Sequence, residues 1–329
     1  MSEDAIAARP LPVSAQAPGK CILFGEHAVV HGAPELLLAV DLTTQVVVSA
    51  GPAVRLNGDA EALARNPYLR AALAAAWPSA APIDIRSISR VPRAAGLGSS
   101  AAFVSALAAA LGAATGGVDR SALAQRCFAI ERGAQGVGSP GDTSASVAGG
   151  YVTLNAPGSG ERLWTVTADA ERWEIRRAPD PGWVWVVAYS GVTRSTAEAV
   201  RAVGQRLARP DREELLGRFA RVARAGIDAV ARGDREATGR CLLENQELLR
   251  EVDVSHPRVE SLLAAAAPAS LGAKVTGAGR GGALVALPTP GKEAELVRRL
   301  ARAGAVPFAV RPAAGVALVE GPPSLDRSS

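Results

Sequence analysis

A strand-like run, Ile83-Asp84-Ile85-Arg86-Ser87-Ile88, leads into Pro92-Arg93-Ala94-Ala95-Gly96-Leu97-Gly98-Ser99-Ser100-Ala101, which opens a long alanine-rich segment. Strand, glycine-bearing turn and helix starting on two serines is the arrangement of an anion site. The glycines let the backbone approach closely, and the helix's first turn offers unpaired N–H groups and the positive end of its dipole. A phosphate chain is the natural ligand. The same residues also fit a plain tight turn closed by an N-cap, Ser99 or Ser100, with nothing bound.

The chain has 329 residues, 48% apolar and 21% charged, enough for two compact domains and too apolar for disorder. It holds no run of about eighteen apolar residues, so no membrane span is expected. Met1–Gln16 carries acids early and has no apolar centre, unlike a secretory signal. Cys21, Cys127 and Cys241 are scattered and odd in number, which fits a reducing cytoplasm and gives no metal-site spacing. The net charge is +4, but basic residues are interspersed with acids and aromatics are only 4%. That argues against a nucleic-acid partner and for mild attraction of anionic small molecules. Lysine occurs only at Lys20, Lys274 and Lys292; the rest of the 36 basic residues are arginine. Lys292 falls in an expected surface helix. Lys20 and Lys274 sit inside two further glycine-bearing stretches, where a compact charge with a tunable pKa differs from arginine.

In chain order, residues 1–14 read as a loose arm. A first strand runs from near Ser14 into Gly19-Lys20-Cys21-Ile22-Leu23-Phe24-Gly25-Glu26-His27-Ala28-Val29-Val30-His31-Gly32. His27 there is either a working residue or a satisfied core histidine. Leu36–Val48 reads as a long strand, and Asn66-Pro67-Tyr68 starts a helix ending near Trp77. Phe103, Leu107 and Leu111 recur every fourth residue, giving the helix after the serines one apolar stripe. Asp119 or Ser121 caps the next helix, whose buried face is Leu123, Cys127 and Ile130. Glu131 beside it either meets a cation or is an exposed end-of-helix charge. Gly136–Gly150 is a small-residue loop whose Asp142 is either a turn former or a working carboxylate. Strands follow near 151–155, 163–166 and 173–176.

A composition shift at Asp180-Pro181-Gly182 marks a domain boundary, giving domains 1–180 and 181–329. Trp183–Tyr189 reads as a buried strand. Helices are expected over about 195–208, 211–232, 234–251 and from Pro257. Lys274-Val275-Thr276-Gly277-Ala278-Gly279-Arg280-Gly281-Gly282 lies between two strands, and a helix over 290–303 and two short strands finish the fold.

Three glycine-bearing loops and two lone carboxylates are the parts that phosphoryl transfer from a nucleotide needs. Backbone N–H groups hold phosphates, a hydroxyl and a carboxylate hold Mg2+, a base faces the acceptor hydroxyl, and a cation stabilises charge. No Gly-x4-Gly-Lys-Ser/Thr motif, protein-kinase set or Gly-x-Gly-x-x-Gly after the first strand is present.

Together the three loops resemble the motifs of the GHMP small-molecule kinases. Pro92-x-x-x-Gly96-Leu97-Gly98-Ser99-Ser100-Ala101 is similar to their second motif. Pro18-Gly19-Lys20 with Gly25–Gly32 is similar to the first in its mevalonate kinase form, and Lys274–Gly279 to the third. Glu131 followed by Ser139-Pro140-Gly141-Asp142-Thr143 resembles the archaeal-type mevalonate kinase branch. The likeness spans about Ala15 to Val319.

The resemblance implies an α+β fold in two domains. The first is a mixed α/β ATP-binding domain with a left-handed crossover, and the second is ferredoxin-like. It implies ATP as donor, mevalonate as acceptor and Mg2+ as cofactor; the family's frequent dimers raise the expectation of a homodimer. Asp142 is the implied catalytic carboxylate, paired with Lys20. The implied ATP-phosphate loop is Pro92, Gly96, Leu97, Gly98, Ser99, Ser100 and Ala101. Glu131 and one of Ser99 or Ser100 are the implied Mg2+ ligands. Glu26, His27, Thr193, Thr276, Gly277 and Ala278 are the implied acceptor-site residues. Arg280 stands where the family commonly has glycine and either adds a phosphate contact or points to solvent; Ala283 stands where cysteine is common. A substrate panel separates mevalonate from phosphomevalonate, sugar or homoserine as acceptor, and turnover separates an enzyme from a non-catalytic binding protein on the same scaffold.

Overall fold

The computed structural model describes residues 5–136, 138–193 and 196–321. Val137 in the Asp142 loop, Arg194 and Ser195 after Thr193, and the tail beyond Gly321 lie outside the described residues.

The first half is an eight-stranded sheet with helices packed on it. Apart from that sheet, the N-terminal strand β1 (Ala5–Ile6) pairs with Val118–Asp119 in a two-stranded sheet, and Arg9 N donates to the Ala113 carbonyl at 2.9 Å. Residues 5–9 are therefore tied down by a buried Ile6 and backbone bonds, not the loose arm the composition suggested. The sheet is built around β2 (Val13–Phe24) and β3 (Glu35–Ala50), with β4 (Arg55–Leu56) and β5 (Ile83–Ser89) on one flank. The helices are α1 (Ala62–Arg65), α2 (Pro67–Ala76), α3 (Ser99–Ala114), α4 (Arg120–Gln135) and α5 (Gly141–Ala148), with β6 (Val118–Asp119) before α4. Strands β7 (Tyr151–Leu154), β8 (Glu161–Ala168) and β9 (Glu171–Ala178) complete the other flank.

A register shift between Pro18 and Gly19 governs the placement of Lys20. Side chains alternate faces along a strand, and an irregularity exchanges them. Val13, Ala15 and Ala17 belong to the core under the helices, whereas beyond the shift Cys21 and Leu23 face the opposite core and Ile22 faces the helices. Lys20 shares the parity of Ile22, so it points into the helix layer.

Asn66 caps α2 by accepting from Leu69 N at 3.1 Å, and Asp119 caps α4 by accepting from Ala122 N at 3.0 Å. Helix α3 departs from the single stripe its periodicity predicts. It is buried all round from Val104 to Ala113 because the sheet, α2, α4 and α5 enclose it; Phe103 is partly exposed. Truncating the fully buried Leu107 to alanine is expected to cost about 2–5 kcal/mol.

The second half starts with β10 (Trp185–Tyr189) and continues through α6 (Thr196–Arg206), α7 (Arg212–Ala231), α8 (Arg235–Glu251) and α9 (Pro257–Ala266). Then come β11 (Ser270–Thr276), β12 (Ala283–Pro288), α10 (Glu293–Arg302) and β13 (Val306–Val310). Its antiparallel sheet has the order β11-β12-β10-β13. Strand, helices, hairpin, helix, strand with that order is the ferredoxin-like arrangement. The last strand, β14 (Ala317–Val319), returns to pair with β2, so the chain ends its fold on the first sheet.

The halves share a core. Phe24, Leu36, Leu38 and Val40 from the first sheet cluster with Val186, Phe219, Val222 and Leu284 from the second half. Helix α7 seats on Phe24 through Gly226, where a β-carbon would fall 2.4 Å from the Phe24 ring.

Candidate functional site

The turn before α3 runs along β2. Lys20 N donates to the Leu97 carbonyl at 2.9 Å, and Ala95 and Leu97 are buried beneath it. Gly98, not a serine, is the N-cap of α3; its φ is +73° and no side chain caps the helix. The capped-turn reading of Ser99 or Ser100 therefore fails, and the first-turn N–H groups are left unclaimed by any capping side chain. Gly98 meets two demands, because a β-carbon there would also lie 2.8 Å from Lys20 Cγ.

Lys20 is 1% exposed, and its Nζ lies 2.9 Å from Asp142 Oδ1 and donates to the Gly96 carbonyl at 3.2 Å. Asp142 sits in the first turn of α5, where the helix dipole favours a negative charge. Strand, phosphate-type loop and α5 thus converge on one ammonium.

Next to this pair, Ser100 Oγ donates to Glu131 Oε1 at 2.7 Å, and Gln135 Nε2 donates to the same oxygen at 3.1 Å. The Tyr68 hydroxyl stands beside Ser100, Gln135 and Glu131. Glu131 is buried, not an end-of-helix surface charge. Burial raises its pKa to about 7, with the Asp142 charge adding to the rise. A cleft of about 420 Å³ adjoins this corner, lined by Asn57, Arg65, Asn66, Tyr68 and Arg93 among others.

The second half enters through β11. Lys274 and Glu26 form a buried ion pair, and Lys274 Nζ also donates to the Ile22 carbonyl at 3.3 Å. Thr276 Oγ1 accepts from Ile22 N at 2.7 Å and donates to its carbonyl at 3.1 Å. Burial raises the Glu26 carboxyl and lowers the Lys274 ammonium, so each stays charged chiefly through the other. Glu26 is 1% exposed; its Oε1 is taken by this pair and its Oε2 has no hydrogen-bond partner. Beside it, His27 is half-buried at φ +60° and donates from Nε2 to the Ala278 carbonyl at 3.0 Å. The first and third glycine loops are thereby joined.

Thr193 is exposed; the preceding Val192 accepts from Gly282 N at 2.9 Å, which brings this segment beside the third loop. Arg280 is partly exposed. It pairs with Asp253 and donates from Nε to the Asp253 carbonyl at 3.0 Å.

Tyr68 and Gln135 carry no motif and escape a reading of the sequence. Only Gln135 left a signal there, its i, i+4 spacing from Glu131 on a helix.

The geometry can be set beside known proteins. The family model described as GHMP kinases N terminal domain matches residues 63–150, and that described as GHMP kinases C terminal matches residues 227–306. The mevalonate kinase of Methanothermobacter thermautotrophicus is 32% identical over 292 residues, covering 83% of this chain and 89% of that one. The chain belongs to the GHMP kinase family. As a GHMP kinase it uses ATP as phosphoryl donor. The mevalonate kinase of Archaeoglobus fulgidus is 31% identical over 283 residues, covering 83% of this GHMP kinase and 91% of the relative. The crystal structure of L. major mevalonate kinase in complex with R-mevalonate matches with a TM-score of 0.77 at 22% identity, covering 94% of this chain and 100% of that one. What that structure shares with this GHMP kinase is the fold. Among the described residues, no helix is long and apolar enough to cross a membrane.

Proposed function

We propose that this GHMP kinase phosphorylates the C5 hydroxyl of (R)-mevalonate with ATP. The observation that carries the proposal is the Lys20–Asp142 contact at 2.9 Å, set against the phosphate-type loop and beside the His27–Ala278 link. The two archaeal relatives named above, both mevalonate kinases, support the choice of acceptor.

Gly96–Ala101 wraps the ATP phosphates with backbone N–H groups. The nucleoside end lies in the cleft lined by Asn57, Tyr68 and Arg93. Asp142 faces the acceptor hydroxyl and orients it or takes its proton as the P–O bond forms. The Lys20 ammonium stabilises the developing oxyanion and the charge on the transferring group. His27 and the Thr276–Ala278 segment shape the acceptor pocket, and Thr193 adds to it from the second half.

The residues at Glu131 fit Mg2+. A buried carboxylate raised to about 7 has a neighbouring negative charge to offset, and Lys20 is already bound to Asp142. Mg2+ takes one or two carboxylates together with substrate phosphates and water. Ser100, whose hydroxyl already meets Glu131, is the serine of the set. Glu131 and Ser100 would hold Mg2+, which would supply charge neutralisation for the phosphate oxygens. Incubation with ATP and (R)-mevalonate, followed by phosphorus NMR, tests the reading: a new phosphomonoester is expected, and ATP left intact opposes it.

A further inference from the structure

Glu35 opens β3 among apolar residues and is 2% exposed. Its Oε2 has no hydrogen-bond partner and presses on Gly141, where a β-carbon would come within 2.5 Å of it. Gly141 is the residue before Asp142, so the Glu35 carboxyl supports the turn that aims the catalytic side chain. Ser139, in the same turn, faces the Glu35 carboxyl.

The charged groups that face Glu35 are Asp142 from α5, Lys20 from β2 and Glu26 from the turn after β2. Both nearby ammoniums are committed, Lys20 to Asp142 and Lys274 to Glu26. Three buried or half-buried carboxyls therefore share two cations, and the one without its own cation is the one that must shed its charge. Burial first, and the Asp142 charge second, push the Glu35 carboxyl well above the usual carboxylate range.

We propose that Glu35 is a positioning residue whose neutral carboxyl packs under the first turn of α5, steadies Asp142 against Lys20, and undoes that arrangement when it ionises. The proposal rests on the reading of Lys20 and Asp142 as the catalytic pair. On ionisation the proton leaves to solvent, and the new charge repels Asp142 and competes for Lys20. An alkaline fall in kcat follows. Stability follows the same group. The folded-state value lies above the unfolded one, so Glu35's contribution is full below the unfolded value and is lost as pH rises through the folded value.

The test measures kcat and KM with ATP and (R)-mevalonate across about pH 5.5–9.5, and urea stability over the same range, for wild type, Glu35→Gln and Glu35→Ala. Neither variant can ionise at this position. The alkaline fall in kcat should move up by about one pH unit or more in both, with KM for mevalonate within about twofold of wild type. Glu35→Gln should cost about threefold in kcat at neutral pH, and Glu35→Ala, which loses the contact with the Gly141 turn, about tenfold or more. The fall of stability with rising pH should flatten in both. Superposed kcat–pH profiles would overturn the proposal, as would an unchanged stability slope. Should Gln prove too large for the gap against Gly141, Ala carries the same test. Asp142→Asn separates the two readings: a nearly full activity there sinks the catalytic pair, whereas an inactive Asp142→Asn with superposed Glu35 profiles sinks only the role of Glu35.

Discussion

Lys20 Nζ stands 2.9 Å from Asp142 Oδ1 while also holding the Gly96 carbonyl at 3.2 Å. One buried ammonium therefore ties the loop proposed to grip ATP to the carboxylate proposed to face the acceptor. It reaches them because the register shift at Pro18–Gly19 turns it toward the helices.

Asp142→Asn keeps the shape of the side chain and removes its charge. The proposed role predicts a fall in kcat of about a thousandfold, with ATP affinity within about threefold of wild type. Steady-state kinetics and a fluorescent-nucleotide titration read both quantities. A kcat within tenfold of wild type, on the order of the effect of a non-catalytic neighbour, contradicts the assignment.

Glu131 makes the metal requirement pH-dependent. Its carboxyl is raised to about 7, so a cation must displace a proton below that value. Apparent Mg2+ affinity should weaken as pH falls through about 7, and Glu131→Gln should need more Mg2+ and lose that dependence. Without the cation the sign reverses for stability. The folded value exceeds the unfolded one, so the contribution of Glu131 is lost as pH rises toward about 7. Overlaid Mg2+ titrations of variant and wild type would remove Glu131 from the site.

The Glu26–Lys274 pair joins the two halves inside the core. Lys274→Met leaves a buried carboxylate uncompensated and should cost about 3–5 kcal/mol. Adding Glu26→Gln should recover part of the loss, since the two effects share one contact. Urea unfolding measures both; a single-variant loss under about 1 kcal/mol contradicts the account.

Gly98→Ala places a β-carbon 2.8 Å from Lys20 Cγ at a φ of +73°. Strain of about 1–2 kcal/mol is expected, with a rise in KM for ATP because the first turn of α3 and Lys20 are displaced together. An unchanged KM would separate this loop from the nucleotide.

Local chemistry made much of this legible. The glycine loops and Lys20 stand out by residue type in short windows, and the spare use of lysine singles out Lys274; Glu131 and Asp142 each left a bland reading open, and only the resemblance to the GHMP kinases singled them out. What stayed hidden depends on tertiary placement. Nothing in the sequence pairs Lys274 with Glu26, which lie 248 residues apart. Glu35 reads as a stray charge at the head of an apolar strand until α5 is laid over it. Periodicity gave α3 one apolar stripe, and only its enclosure by neighbouring helices shows why alanine fills the remaining positions. Arg280 left two readings open, and neither anticipated its bond to Asp253.

The central claim is the acceptor. ADP release measured with ATP and Mg2+ across (R)-mevalonate, phosphomevalonate, galactose and homoserine tests it most directly. The account predicts turnover with (R)-mevalonate, abolished in Asp142→Asn, and little with the others. No ADP release with mevalonate beside clear turnover of another hydroxyl substrate would contradict it.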